Sequence, residues 1–166
     1  RIRDAEGEYS SFATVTIEVL PPNRAPTVGP DHYATLAGEW LNVSGPGRLA
    51  NDYDADGDAF SASHHGDPDN GTLHRSAQDG SFQYLPDDGF VGTDSYVYRV
   101  RDDDGEYSTF GTVSIEVVDP STTAPVAVPD RYTVTEGRWL NVSGPGRLAN
   151  DLDPNGGTFD ASHHST

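Results

Sequence analysis

The chain has 166 residues, of which 10 are basic and 27 acidic, for a formal net charge of −17, and it contains no cysteine and no methionine. A charge this negative disfavours nucleic acid as a partner, because such binding depends on neutralising phosphates with lysine and arginine. The lack of cysteine excludes disulfides, thiolate catalysis and sulfur-ligated metal sites, and no apolar run reaches the roughly 20 residues that a membrane-spanning helix requires.

The sequence is built from a repeat of about 100 residues. LNVSGPGRLAND begins at Leu41 and recurs unchanged at Leu140, and RIRDAEGEYSSFATVTIEV from Arg1 is matched by RVRDDDGEYSTFGTVSIEV from Arg99. A period of this length fits a small independent domain rather than a solenoid unit. We therefore predict three parts, which are the last two strands of one unit (1–20), one complete unit (21–119) and the opening of a third (120–166).

Each unit is predicted to be an all-β sandwich, because short alternating segments bounded by Gly, Pro, Asp and Asn recur about every ten residues and helical periodicity is absent. In the segment 94–101, Tyr96, Tyr98 and Val100 share one face and are expected to line the core. Gly80 is expected to supply the positive φ of a hairpin turn. The predicted strands are 25–28, 31–36, 39–44, 58–65, 72–76, 81–85, 94–101 and 107–118.

Acidic residues form three clusters that recur between units. The clusters are NDYDADGD, with Asp52, Asp54, Asp56 and Asp58; RDDDGE, with Asp102 and Asp104; and the Pro30-Asp31 pair. Their counterparts in the incomplete units are Asp4, Glu6, Asp130, Asp151 and Asp153.

These clusters predict a calcium site. Closely spaced carboxylates repel one another and destabilise the fold unless a cation lies among them. A set of oxygen ligands without imidazole or thiolate favours calcium over transition metals. We expect Asp31 to meet Asp4 or Asp102 across a domain junction. In the third unit Asn155 and Gly157 replace two carboxylates, which weakens the prediction there. The alternative is that Asp, Asn and Gly only mark solvated turns.

Trp40 and Trp139 lie on the strand face opposite the apolar residues, so they are predicted to be partly exposed and able to stack on a sugar or a neighbouring domain. The pairs His64-His65 and His163-His164 point to opposite faces of a strand, which favours a structural role over metal binding. In a rival interpretation, Trp40, Tyr33 and the histidine pair form an adhesive face.

The chain resembles the bacterial cadherin-like tandem repeat, which is related to VCBS and bacterial immunoglobulin-like repeats. The resemblance rests on the ordered series APTVGPDHY (25–33), LANDYDADGDAF (49–60), GTLHRSAQDGSFQYLPDDGFVGTDSYVYRVRDDDG (71–105) and TVSIEV (112–117). It implies tandem Ig-like or cadherin-like Greek-key sandwiches of seven strands, in long secreted surface proteins that often bind calcium near domain junctions. Carried over by position, the implied ligands are Asp52, Asp54, Asp56, Asp102 and Asp104.

The sequence thus predicts a non-enzymatic, calcium-stiffened spacer in a secreted bacterial surface or filament protein, since it contains no nucleophile elbow, phosphate loop or zinc-protease helix. Two alternatives stay open. One is a carbohydrate-binding or homophilic adhesion module, and the other is a filament subunit whose incomplete ends are completed by strands of neighbouring chains. The expected partners are neighbouring repeats, other copies of the chain and polysaccharide, without nucleic acid or membrane insertion.

Overall fold

A computed structural model describes residues 1–64, 66–75, 78–122, 124–143 and 146–158. Its regular structure is almost entirely β, and all the strands among the described residues lie within the predicted complete unit. The strands are β1 (Asp31–Leu36), β2 (Leu41–Val43), β3 (Phe60–His64), β4 (Gly71–Arg75), β5 (Phe82–Pro86), β6 (Gly92–Asp102) and β7 (Gly111–Val118). Short 3₁₀ turns occupy Gly47–Leu49 and Gly146–Leu148, and the described residues contain no helix with the length and apolar character needed to cross a membrane.

The strands form two sheets, one ordered β1-β7-β6-β3 and the other β2-β5-β4. Strand β1 runs parallel to β7, and the remaining neighbours are antiparallel. Four connections pass from one sheet to the other: those from β1 to β2, from β2 to β3, from β3 to β4 and from β5 to β6. This is the predicted seven-stranded Greek-key sandwich. The expected strand at 25–28 is reduced to one bridge between Thr27 and Tyr53.

The core lies between the sheets and follows the predicted alternation. In β6, Tyr96, Tyr98 and Val100 are buried, and the side chains between them face outward. Phe82 in β5 packs edge-on against Tyr96, with ring centroids 5.8 Å apart. Because apolar area removed from water is the main driving force for folding, this aromatic layer holds the two sheets together.

The turn before β5 packs tightly against the 3₁₀ turn that follows β2. Gly80 has φ +74°, as predicted, and a Cβ atom there would overlap the carbonyl oxygen of Pro46. The carbonyl of Gly80 accepts the backbone N–H of Arg48 at 3.3 Å. Glycine is required at position 80 both for its conformation and for this close approach.

The described residues of the flanking parts form turns, isolated bridges and the 3₁₀ turn Gly146–Leu148, but no strand. Residues 1–10 repeat the turn that follows β6, since Asp4 N–H donates to the Glu8 carbonyl as Asp102 N–H does to that of Glu106. Within 124–158, a bridge between Val126 and Leu152 reproduces the bridge of the complete unit. His65 and the pair His163-His164 lie outside the described residues.

Candidate metal centre

Three predicted ligands come together in the loop before β3. Asp54, Asp56 and Asp58 each place one carboxylate oxygen within 4.8 Å of the others. The loop is held by Asp54 Oδ1, which accepts the backbone N–H groups of Asp56, Gly57 and Asp58 at 2.8, 3.1 and 3.2 Å. This local turn, in which Gly57 takes a φ of +86°, brings the alternate carboxylates of the sequence onto one side.

Two side-chain oxygens near this loop are buried without a hydrogen-bond partner among the described residues: Asp54 Oδ2 and Asn23 Oδ1. Asp54 is only 4% exposed. Asn23 lies in the proline-rich segment 20–26 that joins two repeats, the linker, and its amide nitrogen donates to Asp102 Oδ2 at 3.0 Å. A buried oxygen that lacks a donor is costly, and a cation would satisfy it as a donor does.

A second acidic turn lies beside the loop because of strand register. Phe60 at the start of β3 pairs with Asp102 at the end of β6, and Asp103 N–H donates to the Ala59 carbonyl at 3.1 Å. The residues just before β3 therefore face the turn that follows β6. This proximity also affects the ionisation of Asp58. Burial raises the pKa of Asp58, and so do the negative charges of Asp54, Asp104, Asp56 and Asp102.

Asp102 itself is held in the charged form. Burial raises the pKa of its carboxyl, but hydrogen bonds from Asn23 and from the backbone N–H groups of the turn outweigh that effect and leave the pKa below its usual value. Two of these bonds run from Gly105 and Glu106 to Asp102 Oδ1, at 2.6 and 2.8 Å. The carboxylate is thus available as an anionic ligand at neutral pH.

Arg24, the next linker residue, binds Asp56. Its Nε and Nη2 atoms donate to Asp56 Oδ1 at 2.9 and 2.6 Å, and its backbone N–H donates to Oδ2 at 2.7 Å. These bonds hold the pKa of the Asp56 carboxyl below its usual value. Sequence analysis missed both Asn23 and Arg24. Their position in the short segment between two repeats was the available signal.

Asp31 and Asp52 form a separate buried cluster around Tyr98. The Tyr98 hydroxyl lies 3.0 Å from Asp31 Oδ2 and 3.0 Å from Asp52 Oδ2. Asn51 Nδ2 donates to Asp31 Oδ1 at 3.2 Å. Burial raises the pKa of Asp31 to about 8 and that of Asp52 to about 6. The expectation that Asp31 meets Asp4 or Asp102 is wrong, because Asp31 begins β1 with its side chain directed into the sandwich.

Arg48 supplies positive charge to this cluster and was not predicted. It is 1% exposed, its guanidinium carbon lies 5.5 Å from the Tyr98 ring centroid, and Nη1 donates to the carbonyl of Ser81 at 3.3 Å. Its charge lowers the pKa of Asp31 and of Asp52 against the effect of burial. The unchanged recurrence of LNVSGPGRLAND, which contains this arginine, was a signal that sequence analysis did not use.

The remaining predicted ligands stay apart from the acidic loop. Asp4 Oδ1 accepts the Glu8 N–H at 2.8 Å within the hairpin that also holds Glu6. Asp151 Oδ1 accepts the Val128 N–H at 2.7 Å. Burial and the negative charge of Asp151 both raise the pKa of Asp130. Asp153 Oδ1 accepts the Asn155 N–H at 2.9 Å. Among the described residues, the loop at 54–58 is the one place where three carboxylates gather this closely.

The predicted exposure of the tryptophans is confirmed, since Trp40 is 44% and Trp139 93% exposed. Tyr33 does not accompany Trp40. Its ring packs edge-on against Phe82, with centroids 5.0 Å apart, so it belongs to the edge of the core.

A family model described as the bacterial cadherin-like domain matches residues 23–119. No curated protein matches the chain. Among solved structures, a nucleoside hydrolase-related protein of Saccharophagus degradans associated with carbohydrate metabolism is similar at 16% identity and a TM-score of 0.42, over 57% of this chain and 26% of that one. The endo-fucoidan hydrolase MfFcnA4, of glycoside hydrolase family 107, is similar at 19% identity and a TM-score of 0.37, over 61% of this chain and 14% of that one.

The fibronectin(III)-like modules of Clostridium thermocellum CbhA give 17% identity and a TM-score of 0.34, over 57% of this chain and 47% of that one. In each case the matched region covers less than half of the solved structure.

Proposed function

The chain belongs to the bacterial cadherin-like domain family, and we propose that it is a non-enzymatic structural repeat whose domain junctions are stiffened by calcium. The observation that carries this proposal is the pair of buried oxygens, Asp54 Oδ2 and Asn23 Oδ1, which lack hydrogen-bond partners among the described residues beside a cluster of carboxylates. One of these oxygens belongs to the domain and the other to the linker. A cation held by both would fix the linker against the domain.

The residues present fit calcium. The donors are carboxylate and amide oxygens, which are the ligands that Ca²⁺ prefers, and Ca²⁺ accepts six to eight of them in flexible geometry. Mg²⁺ requires a stricter octahedron and retains several waters. The residues that would hold the ion are Asn23, Asp54, Asp56, Asp58, Asp102 and Asp104.

Calcium would act by linkage. An ion that binds only the folded junction stabilises it by about 1.4 kcal/mol per site when its concentration is ten times Kd. Extracellular calcium modules commonly have Kd values of about 0.1 to 1 mM, which suits a secreted protein. We propose that the repeat belongs to a bacterial surface or filament protein, in which a row of stiffened domains projects or links adhesive parts.

The ion-free junction is already ordered by the chain itself. Arg24 neutralises Asp56, and Asn23 is hydrogen-bonded to Asp102. These contacts limit repulsion among the carboxylates and keep the two acidic turns in position. Calcium would then bind to a largely preformed set of oxygens, which lowers the ordering cost of binding.

The test is calorimetric titration of the 166-residue chain with Ca²⁺ and with Mg²⁺, together with thermal melts in each ion and in EDTA. We expect Ca²⁺ alone to bind in the submillimolar to millimolar range and to raise the melting temperature by several degrees. Asp58→Asn should weaken binding severalfold. Asp88→Asn, at an exposed turn outside the cluster, is the matched control and should leave binding unchanged. Coincident melts in Ca²⁺ and EDTA would overturn the proposal.

A further inference from the structure

The outer face of the sheet β2-β5-β4 carries a transverse row of polar side chains. Asn42 of β2 pairs with Gln83 of β5, and Gln83 pairs in turn with His74 of β4. All three side chains are exposed, whereas the apolar residues that alternate with them pack toward the core: Leu41, Val43, Leu73, Phe82 and Tyr84. Gln83 Nε2 donates to Asn42 Oδ1 at 2.5 Å. The row is therefore a strip of amide and imidazole groups across three strands.

Trp40 stands at one end of this row. Its indole stacks on the His74 imidazole, with ring centroids 5.7 Å apart and planes inclined by 31°. One side of the indole is thus covered by His74, while 44% of the residue stays exposed. A groove of about 520 Å³ runs beside the row, and its lining comprises Asn42, His74 and Gln83 of the row together with Val43, Ser44, Arg75, Ser81 and Phe82. We call Trp40, Asn42, His74 and Gln83 the Trp40 face.

We propose that the Trp40 face binds a neutral polysaccharide chain. A pyranose ring has an apolar C–H face that packs on an aromatic ring, and it has hydroxyls that both donate and accept hydrogen bonds. The exposed indole of Trp40, which packs against the His74 imidazole, offers the first kind of contact. The amides of Asn42 and Gln83 offer donors and acceptors side by side. The groove has the size range of small-molecule sites.

Charge selects the neutral class of glycan. The chain carries a net charge of −17, which disfavours uronic acid or sulfated polymers. The cation nearest the row, Arg75, is paired with Asp67 at 2.9 Å. A protein partner fits less well, because the centre of a protein interface is apolar and aromatic-rich, whereas the middle of this row is polar.

The strand that carries the tryptophan recurs in the next repeat as Trp139-Leu140-Asn141, and Trp139 is 93% exposed. An array of repeats would thus present one such face per domain at a fixed spacing. Linked weak sites give an avidity well above the affinity of each. The proposal goes beyond the calcium-stiffened spacer, since none of the four residues belongs to the acidic loop, and binding is expected to persist in EDTA.

The test is affinity electrophoresis of the 166-residue chain in native gels that contain hydroxyethylcellulose, a neutral β-1,3-glucan, a galactomannan or, as the anionic comparison, alginate. We expect retardation by at least one neutral polymer and not by alginate. Trp40→Ala combined with Trp139→Ala should weaken affinity about tenfold or more. Gln83→Ala should weaken it severalfold. Phe110→Ala, which removes an aromatic side chain that is 57% exposed elsewhere on the domain, is the matched control and should bind as the unaltered chain does.

Thermal melts of every variant verify that it is folded, so that loss of binding reports on the surface. Absence of retardation by all three neutral polymers overturns the proposal, as does retardation that survives loss of both tryptophans. Stronger retardation by alginate than by the neutral polymers overturns the assigned ligand class. If sedimentation shows self-association that disappears with Trp40→Ala and no polymer retards the chain, the face is a homotypic protein contact instead.

Discussion

Arg24 and Asp56 connect the linker to the acidic loop through side chain and backbone together. The Arg24 guanidinium lies 2.6 Å from Asp56 Oδ1, while the Arg24 N–H donates to Oδ2 of the same carboxylate at 2.7 Å. In the following repeat the corresponding positions are Thr123 and Asn155, so the cation and the anion are replaced together. Arg24 therefore balances the charge of one particular aspartate at this junction.

Replacing Arg24 by alanine should loosen the ion-free junction and increase its response to calcium. Without the guanidinium, the charge of Asp56 is uncompensated in the loop. A metal ion then no longer competes with Arg24 for the Asp56 carboxylate. We expect Arg24→Ala to lower the melting temperature in EDTA by a few degrees and to enlarge the rise caused by Ca²⁺. Thermal melts measure both. Arg138→Ala, at an exposed arginine of the third part, should change neither quantity. An unchanged calcium response in Arg24→Ala would show that Asp56 is not a ligand.

Asp54→Asn should separate stability from metal binding. The amide retains an oxygen to accept the N–H groups of Asp56, Gly57 and Asp58, and it removes a buried charge whose second oxygen lacks a donor. Stability in EDTA should thus be preserved or raised, because the substitution removes one of three closely spaced negative charges. Stabilisation by Ca²⁺ should largely disappear. Melts in EDTA and in Ca²⁺ test this, with Asp88→Asn as control. A retained calcium shift would contradict the assignment of Asp54 as a ligand.

The cluster around Tyr98 predicts that stability falls as pH rises. Burial raises the pKa of Asp31 to about 8 and that of Asp52 to about 6, both above the value of 3.8 of a free aspartate. Between about pH 4 and pH 8 the folded state therefore holds protons that the unfolded state has lost, so the free energy of unfolding decreases with pH across this range. The raised pKa of Asp58 acts in the same direction.

Urea unfolding in EDTA at pH 5 and pH 8 measures this dependence. A difference of one unit between the pKa values in the folded and unfolded states corresponds to about 1.4 kcal/mol. We therefore expect the free energy of unfolding to drop by a few kcal/mol between pH 5 and pH 8. Asp31→Asn should remove most of the slope, and Asp52→Asn a smaller part. Asp88→Asn should retain all of it. Equal stability at both pH values in the unaltered chain would show that Asp31 is charged when buried, with Arg48 compensating it.

Alternation in the sequence was sufficient to predict most of the sandwich, because burial of Tyr96, Tyr98 and Val100 depends only on which side of a strand each occupies. The division of NDYDADGD into two clusters could not be predicted. It depends on Tyr98, a core position whose hydroxyl reaches Asp52, and on Arg48, whose burial results from the packing of its 3₁₀ turn under Gly80. Such contacts join residues distant in sequence, and spacing alone carries no information about them.

The segment 14–19 shows the same limit and yields a further prediction. Ile17 is 81% exposed and Val15 83%, whereas their counterparts Ile115 and Val113 in β7 are fully buried. Nearly the same letters thus form a core strand only where β1 and β6 flank them.

An exposed apolar segment of this alternation can pair with the sheet edge of another chain. If strand exchange completes the units, light scattering should show the 166-residue chain associating as its concentration rises, and Ile17→Lys should keep it monomeric. Thr16→Lys, on the opposite face of the segment, is the control and should associate normally. A monomer mass at high concentration would contradict assembly by strand exchange and leave contact between domains of one chain as the source of order in the array.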